Sequence, residues 1–129
     1  MFTERVRAGV AALRAKAPRK GLPVVVVHGL DDGLIPAAFS SAPYVAMAKA
    51  AGADVRYWQV RNAQHFDGFL ALPDYGARYV PLLPHVYAAL DRVSAHLEDP
   101  TKALPSDAVI ATVPRGDAAL GEVNLAIPR

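Results

Sequence analysis

The chain has 129 residues, a length typical of one domain, and its hydrophobic fraction of 53% excludes an intrinsically disordered chain. Its formal charge of +2 comes from interspersed acidic and basic residues, which gives no indication of a nucleic-acid partner. The absence of cysteine excludes disulfides, a thiolate nucleophile and cysteine metal ligands, and no apolar run approaches the roughly 20 residues that span a bilayer.

The first predicted element is a helix over residues 4–17. Val6, Val10 and Leu13 recur at helical spacing, and basic residues occupy the other faces. We expect the apolar side to cover a face of the sheet and Pro18 to end the helix. The segment lacks the continuous apolar core of a signal peptide.

Four consecutive valines at positions 24–27 predict a short strand buried on both faces, as in a parallel sheet. The strand runs into Gly29, and the turn after it contains Asp31 and Asp32 and ends at Pro36. Functional groups in open α/β sheets lie just past the carboxyl ends of strands, so an acid here is a candidate site residue. The alternative is that both aspartates only cap the turn and the next helix.

A helix is then expected from about residue 42 to residue 51, with Tyr44, Met47 and Ala48 on the face that packs against the sheet. The next strand, predicted over residues 54–60, is rich in β-branched and aromatic side chains.

The polar loop after this second strand contains His65. If a right-handed crossover joins the two strands, they are parallel neighbours and their loops emerge on the same side. This arrangement brings an acid of the first turn close to His65. An aspartate bonded to one ring nitrogen fixes the histidine tautomer and leaves the other nitrogen as a general base.

Residues 64–84 are predicted to form a long loop rich in aromatic side chains. Such a loop either walls an acyl pocket or covers the end of the sheet. Asp67 is expected to bond the backbone near His65 or to be a surface acid without a structural role.

The last predicted helix covers residues 84–98. Its apolar side chains recur at helical spacing and are expected to face the core: Val86, Leu90, Val93 and Leu97. His85 and His96 have no acids around them in the pattern, which favours a surface position for both. Beyond the helix, proline-rich residues 99–129 predict an extended tail packed on the same domain, with a possible edge strand at 108–113.

The two strand ends resemble the acid and histidine motifs of an α/β-hydrolase. Gly29, Asp32 and Pro36 match a Gly-x-x-Asp-x-x-x-Pro turn. The resemblance therefore implies that Asp32 is the catalytic acid, with Asp31 as its neighbour, and that His65 is the catalytic base.

The fold implied by this resemblance is α/β: the C-terminal portion of an α/β-hydrolase fold, with parallel strands, flanking helices and an extended Pro-rich tail. Residues 1–98 are expected to form the C-terminal part of the hydrolase domain, and residues 99–129 the tail.

Within this superfamily the sequence resembles the D-3-hydroxybutyrate oligomer hydrolases more closely. The similar stretches are Val-His-Gly-Leu-Asp-Asp-Gly-Leu-Ile-Pro at 27–36, Asn-Ala-Gln-His-Phe-Asp at 62–67, and the late run at 103–116. The resemblance implies serine-type ester hydrolysis of hydroxybutyrate oligomers and dimers to monomers, as in polyhydroxybutyrate degradation, without a cofactor. It also implies an extracellular or periplasmic location, with a cytoplasmic one as the alternative.

The nucleophile of this fold lies in Gly-x-Ser-x-Gly, and no serine of the chain has these neighbours: Ser40, Ser41, Ser94 and Ser106. In this fold the serine precedes the acid and the histidine. We therefore expect the serine upstream of Met1, a chain that is the carboxyl-terminal part of a larger hydrolase, and no activity without the upstream part of that domain.

Three alternatives remain open at this point. The first alternative is that the chain belongs to a different α/β-hydrolase, such as an esterase or a peptidase. The second is that it is a non-catalytic α/β domain that binds a partner. The third alternative is a metal site built from His28, Asp31, Asp32 and His65. No spacing typical of metal ligands supports this third idea, so no metal is predicted.

Overall fold

The computed structural model describes residues 2–128 and has an α/β architecture. Three parallel strands form one sheet in the order β1-β2-β3. The elements in chain order are α1 (Phe2–Leu13), β1 (Val24–Gly29), α2 (Ser41–Ala50), β2 (Val55–Val60), α3 (Pro73–Arg78), α4 (Leu83–Glu98), β3 (Ala108–Ile110) and α5 (Glu122–Leu125).

The parallel pairing of the first two strands confirms that they are neighbours. Val24 lies opposite Val55 at one end of the ladder, and Gly29 lies opposite Val60 at the other. Both strands therefore end at the same edge of the sheet, and the loops after them start side by side. The third strand extends the sheet on the far side of β2 and is shorter than the predicted edge strand at 108–113.

Strand β2 is central because its alternating side chains build both halves of the core. Trp58 and Val60 are fully buried on the face that also contacts α4. Val55 and Tyr57 lie on the opposite face and pack with Val45 of α2. The sheet therefore lies between α2 and α4.

Helix α4 uses a different face from the one predicted. Its buried residues are His85 and Ala89, whereas the predicted face is exposed at Val86, Leu90 and Leu97. The small Ala89 allows the helix to approach the sheet closely, and the guanidinium of Arg92, one turn further on, lies 5.5 Å from the centre of the Trp58 ring. Apolar periodicity alone therefore gave the wrong face.

The prediction that His85 lies at the surface is also wrong. Its side chain is completely buried, and its Nε2 lies 2.8 Å from the carbonyl oxygen of Leu125 in the C-terminal segment. His96, near the other end of α4, is only half-buried and its Nδ1 contacts the Lys102 carbonyl. His85 thus anchors the C-terminal segment to the core.

Three other expectations need correction. Helix α1 ends at Leu13 instead of residue 17, and its side chains from residue 3 to residue 13 are exposed, so it covers no face of the sheet. Strand β1 is only half-buried because it is an edge strand. In α2, Met47 is exposed while Val45 fills the core position.

The predicted long loop between the second strand and α4 is largely helical. A 3₁₀ helix spans Asp67–Ala71, and α3 follows it directly, with Pro73 at its first position. The short helices pair part of the backbone of this segment within the segment itself, for example Leu72 N–H with the Phe69 carbonyl and Gly76 N–H with the Leu72 carbonyl. Within residues 2–128, no helix has both the length and the apolar character needed to cross a membrane.

The buried contact of His85 predicts a difference between the two histidines of α4. His85→Ala leaves a cavity and an unpaired Leu125 carbonyl, so we expect a loss of about 2–4 kcal/mol in the free energy of unfolding. His96→Ala, the matched control on the same helix, should cost less than about 1 kcal/mol. Urea unfolding followed by the fluorescence of Trp58, the only tryptophan, measures both. Equal losses would contradict the anchoring role of His85.

Candidate active site

The turn after β1 is organised around the carboxylate of Asp32. Its Oδ1 accepts hydrogen bonds of 3.0 Å from the backbone N–H groups of Leu34 and Ile35. The side chain is only 1% exposed, whereas its neighbour Asp31 is exposed to solvent. Of the two acids that the sequence places here, Asp32 therefore points into the protein.

The second carboxylate oxygen of Asp32 contacts His65 from the loop after β2. The distance from Asp32 Oδ2 to His65 Nδ1 is 2.5 Å. We assign Nδ1–H as the donor because an ionised carboxylate only accepts hydrogen bonds. This tautomer leaves Nε2 without a proton and able to accept one. The structure thus contains the predicted contact between Asp32 and His65, and the His65 side chain is 27% exposed.

Hydrogen bonding keeps the buried carboxyl of Asp32 ionised. Burial is the largest single influence and on its own would raise the pKa. The hydrogen bonds from Ile35 N–H, the His65 ring and Leu34 N–H together outweigh burial, so the pKa of Asp32 lies below its ordinary value. At neutral pH the carboxylate is therefore charged and orients the imidazole.

A close backbone approach brings the two loops together. A Cβ atom on Gly29 would lie 2.3 Å from the carbonyl oxygen of Ala63, a distance that real Cβ atoms essentially never show. The N–H of Asp31 donates to the same Ala63 carbonyl at 3.1 Å, and Leu30 N–H donates to Val60 at 2.8 Å. Glycine at position 29 is therefore required for the acid turn to lie directly against the histidine loop.

Asn62 shapes the histidine loop, a role that was not predicted from the sequence. Its backbone adopts the left-handed conformation with φ 51°, which asparagine tolerates better than most residues. Its side-chain amide donates to the Thr112 carbonyl at 2.9 Å, and the Thr112 hydroxyl in turn donates to the Arg61 carbonyl at 2.5 Å. Residues after β3 thus hold the turn that precedes His65. An asparagine two residues beyond the end of the strand was the only signal in the sequence.

Asp67 has neither of the two roles expected for it. Its two carboxylate oxygens accept hydrogen bonds of 2.8 Å from the N–H groups of Leu82 and Leu83, where α4 begins. A carboxylate at a helix N-terminus satisfies free N–H groups and interacts favourably with the helix dipole. The segment containing His65 is thereby tied to the start of α4. The sequence gives little signal for such a cap because the acid lies 15 residues before its first partner.

A row of aromatic rings runs away from His65. Neighbouring ring centres are 3.9 Å apart for His65 and Phe66, and 5.2 Å apart for Phe66 and Phe69. Tyr75 and Tyr79 continue the row. Burial, aided by the charges of Tyr79, Asp67 and Asp32, raises the pKa of the Tyr75 hydroxyl, so Tyr75 is neutral at physiological pH.

The remaining residues considered for chemistry have structural partners of their own. His28 Nε2 lies 2.9 Å from the Ile35 carbonyl oxygen, and no group of three or more possible metal ligands occurs in the part of the chain that the structure describes. The Ser40 hydroxyl donates to the Pro36 carbonyl, and the Ser41 hydroxyl contacts the Tyr57 hydroxyl. Neither serine is hydrogen-bonded to His65.

Comparison with known proteins identifies the family. A family model described as 3HB-oligomer hydrolase (3HBOH) matches residues 2–127, nearly the whole chain. The chain belongs to the 3HB-oligomer hydrolase family. No solved structure matches it.

Curated relatives named D-(-)-3-hydroxybutyrate oligomer hydrolase are similar in sequence to this chain over most of its length. The protein from Paracidovorax citrulli (strain AAC00-1) is 40% identical over 119 residues, which cover 87% of this chain and 17% of the relative. The protein from Polaromonas sp. (strain JS666) is 41% identical, covering 87% of this chain and 16% of the relative. The protein from Cupriavidus necator is 39% identical, and the match covers 95% of this chain and 17% of the relative. The chain thus spans about a sixth of the length of the curated relatives it matches.

The close approach at Gly29 gives the first prediction for the candidate site. Gly29→Ala should cost about 1–3 kcal/mol of folding free energy, because the new methyl group must separate the acid turn from Ala63. Gly33→Ala is the matched control in the same turn, where an added Cβ meets nothing within 4 Å; it should change stability by less than about 0.5 kcal/mol. Urea unfolding measures both, and a neutral Gly29→Ala would contradict the tight contact.

The lowered pKa of Asp32 gives the second prediction. Because the folded pKa lies below the ordinary value of 3.8, the carboxylate stabilises the fold above that value, and the stabilisation is lost as pH falls through the folded pKa. Asp32→Asn should lower the free energy of unfolding by about 2 kcal/mol near neutral pH and by progressively less below about pH 4. Urea unfolding at a series of pH values gives this difference.

The matched control is Asp31→Asn, which removes the exposed acid from the same turn. It should change the free energy of unfolding by less than about 0.5 kcal/mol at each pH. A stability difference between the unmodified chain and Asp32→Asn that is constant from neutral to acid pH would show that the Asp32 charge has no stabilising partners.

Proposed function

We propose that this chain supplies the acid and the base of a serine-type ester hydrolase that cleaves D-3-hydroxybutyrate oligomers and dimers to monomers. The observation that carries the proposal is the buried Asp32 carboxylate 2.5 Å from His65, at the carboxyl ends of two neighbouring parallel strands. Membership of the 3HB-oligomer hydrolase family supports the substrate class. The parallel strands with helices on both faces are compatible with part of an α/β-hydrolase fold.

The reaction follows from the assigned tautomer of His65. As the serine oxygen attacks the ester carbonyl, Nε2 takes the hydroxyl proton and the imidazole becomes positively charged. Asp32 stays ionised and stabilises this charge through Nδ1–H. His65 then gives the proton to the departing alkoxide, which leaves as the hydroxyl group of one product. Water attacks the acyl-enzyme in the same way, with His65 as the base, and releases the second product as an acid.

We place the nucleophilic serine and the oxyanion hole in a part of the enzyme outside residues 1–129. The chain has no Gly-x-Ser-x-Gly motif, and its relatives are about six times as long. The outer edge of β1 has no partner strand within residues 2–128. A groove of about 300 Å³ beside this edge is lined by apolar residues that include Val24, Leu90 and Val93. The part of α4 around Leu90 and Val93 is thus a surface suited to packing against the remainder of such an enzyme.

Replacement of the two proposed catalytic residues tests the function in an active enzyme that contains this chain. Removing the triad acid's charge costs about 10⁴ in turnover in the best-studied triad, or roughly 5.5 kcal/mol of transition-state stabilisation. We expect losses of that order for His65→Ala and Asp32→Asn with 3-hydroxybutyrate dimer, measured as kcat/KM. Asp31→Asn, which removes the neighbouring exposed acid, is the control and should keep activity within about threefold.

Two results would contradict the proposal. Near-normal turnover by His65→Ala would refute the assignment of the base. An equal loss of kcat/KM in Asp31→Asn and Asp32→Asn would mean that activity depends on the negative charge of the turn and not on the hydrogen bond from His65 to Asp32.

A further inference from the structure

A small pocket of about 280 Å³ lies directly beside His65. It is formed by the segment after the histidine and by the beginning of α4. Its lining residues are His65, Phe66, Asp67, Gly68, Leu82, Leu83 and Val86. The volume is at the lower end of the range for ligand pockets, so it suits a group of only a few non-hydrogen atoms.

The two walls of this pocket are joined by the carboxylate of Asp67. Its hydrogen bonds to the N–H groups of Leu82 and Leu83 hold the histidine segment against the first turn of α4. The pocket is therefore built by the same contact that positions the segment after His65.

The chemistry of the lining selects for a neutral, mainly apolar group. Phe66, Leu83 and Val86 are large apolar side chains that remain 37–49% exposed. No arginine or lysine lines the pocket, and the acidic side chain of Asp67 does. The N-terminus of α4 offers no anion site here, because Asp67 already occupies its first N–H groups and opposes the positive end of the helix dipole.

We propose that this pocket binds one neutral, ester-linked hydroxybutyryl unit of the substrate and rejects a free carboxylate. The inference rests on the proposed function of His65 and extends it by giving the substrate an orientation. The carboxylate end of an oligomer points away from the pocket, and the unit with a methyl group and an esterified carboxyl enters it. The acidic Asp67 and the apolar walls together provide the selection.

Binding can be measured on the 129-residue chain without any catalysis. Amide NMR spectra are recorded during titration with methyl D-3-hydroxybutyrate, which is neutral, and with sodium D-3-hydroxybutyrate, which is anionic. We expect the methyl ester to shift the resonances of Phe66, Gly68 and Leu83, and to bind about tenfold more tightly than the anion, as the repulsion from one nearby partly exposed carboxylate implies.

Two tryptophan variants on one helix test the location. Leu83→Trp fills the pocket and should abolish the shifts caused by the methyl ester. Leu90→Trp is the matched control: Leu90 is also exposed on α4 but lines the groove beside β1 and not this pocket, so the shifts should be retained. Both positions are exposed, so neither variant disturbs the core.

A third variant tests the rejection of the carboxylate. Asp67→Asn removes the charge and keeps one side-chain oxygen that can still accept an N–H group of the first turn of α4. The preference for the methyl ester over the anion should fall from about tenfold to less than about threefold.

The inference is overturned if the anion binds as tightly as the ester to the unmodified chain, if the ester shifts none of these resonances, or if Leu83→Trp and Leu90→Trp weaken binding equally. An unchanged preference in Asp67→Asn would overturn the electrostatic part. Because binding is measured without turnover, an enzyme that stays active without His65 would refute the proposed function and leave this result unaffected.

Discussion

The site depends on the close approach of two backbone segments, Gly29 at the end of β1 and Ala63 just beyond β2. Parallel strands end at the same edge of a sheet, but this alone leaves the following loops several ångströms apart, since neighbouring strands are about 4.8 Å apart. The missing Cβ of Gly29 lets the acid turn lie directly on the histidine loop, and the Asp31 N–H is bonded to the Ala63 carbonyl. The backbone contacts therefore hold Asp32 and His65 close together without relying on the attraction between their side chains.

The electrostatics of the site follow from this backbone geometry. Burying a carboxylate costs several kcal/mol unless hydrogen bonds replace its water. Asp32 receives two backbone N–H groups and the imidazole N–H, and its lowered pKa means that these donors more than offset burial. The carboxylate of Asp67 is also hydrogen-bonded, in its case by the first N–H groups of α4. One acid is thus fixed to orient His65, and the other fixes the wall of the adjacent pocket.

The strands and the Asp32–His65 contact were predictable because their signals are local and strong. A run of valines and a run of β-branched and aromatic residues each precede a polar loop, and parallel pairing follows from the helix between them. The catalytic roles of Asp32 and His65 remain predictions.

The face of α4 was not predictable from periodicity, because the helix contacts the sheet through Ala89 and through His85, a polar residue whose Nε2 contacts the distant Leu125 carbonyl. The roles of Asn62 and Asp67 likewise depend on partners that only the folded chain brings near: Thr112 for Asn62, and Leu82 and Leu83 for Asp67. Local sequence patterns carry no information about such long-range partners.

A crystal structure of an active enzyme containing this chain, determined after reaction with an ester-like phosphonate, tests directly whether Asp32 and His65 act on a serine hydroxyl. The proposed catalytic role of the Asp32–His65 pair predicts a phosphonylated serine whose oxygen lies about 2.6–3.2 Å from His65 Nε2, with Nδ1 still bonded to Asp32. A labelled serine far from His65, or an imidazole turned away from Asp32 in the inhibited enzyme, would contradict it.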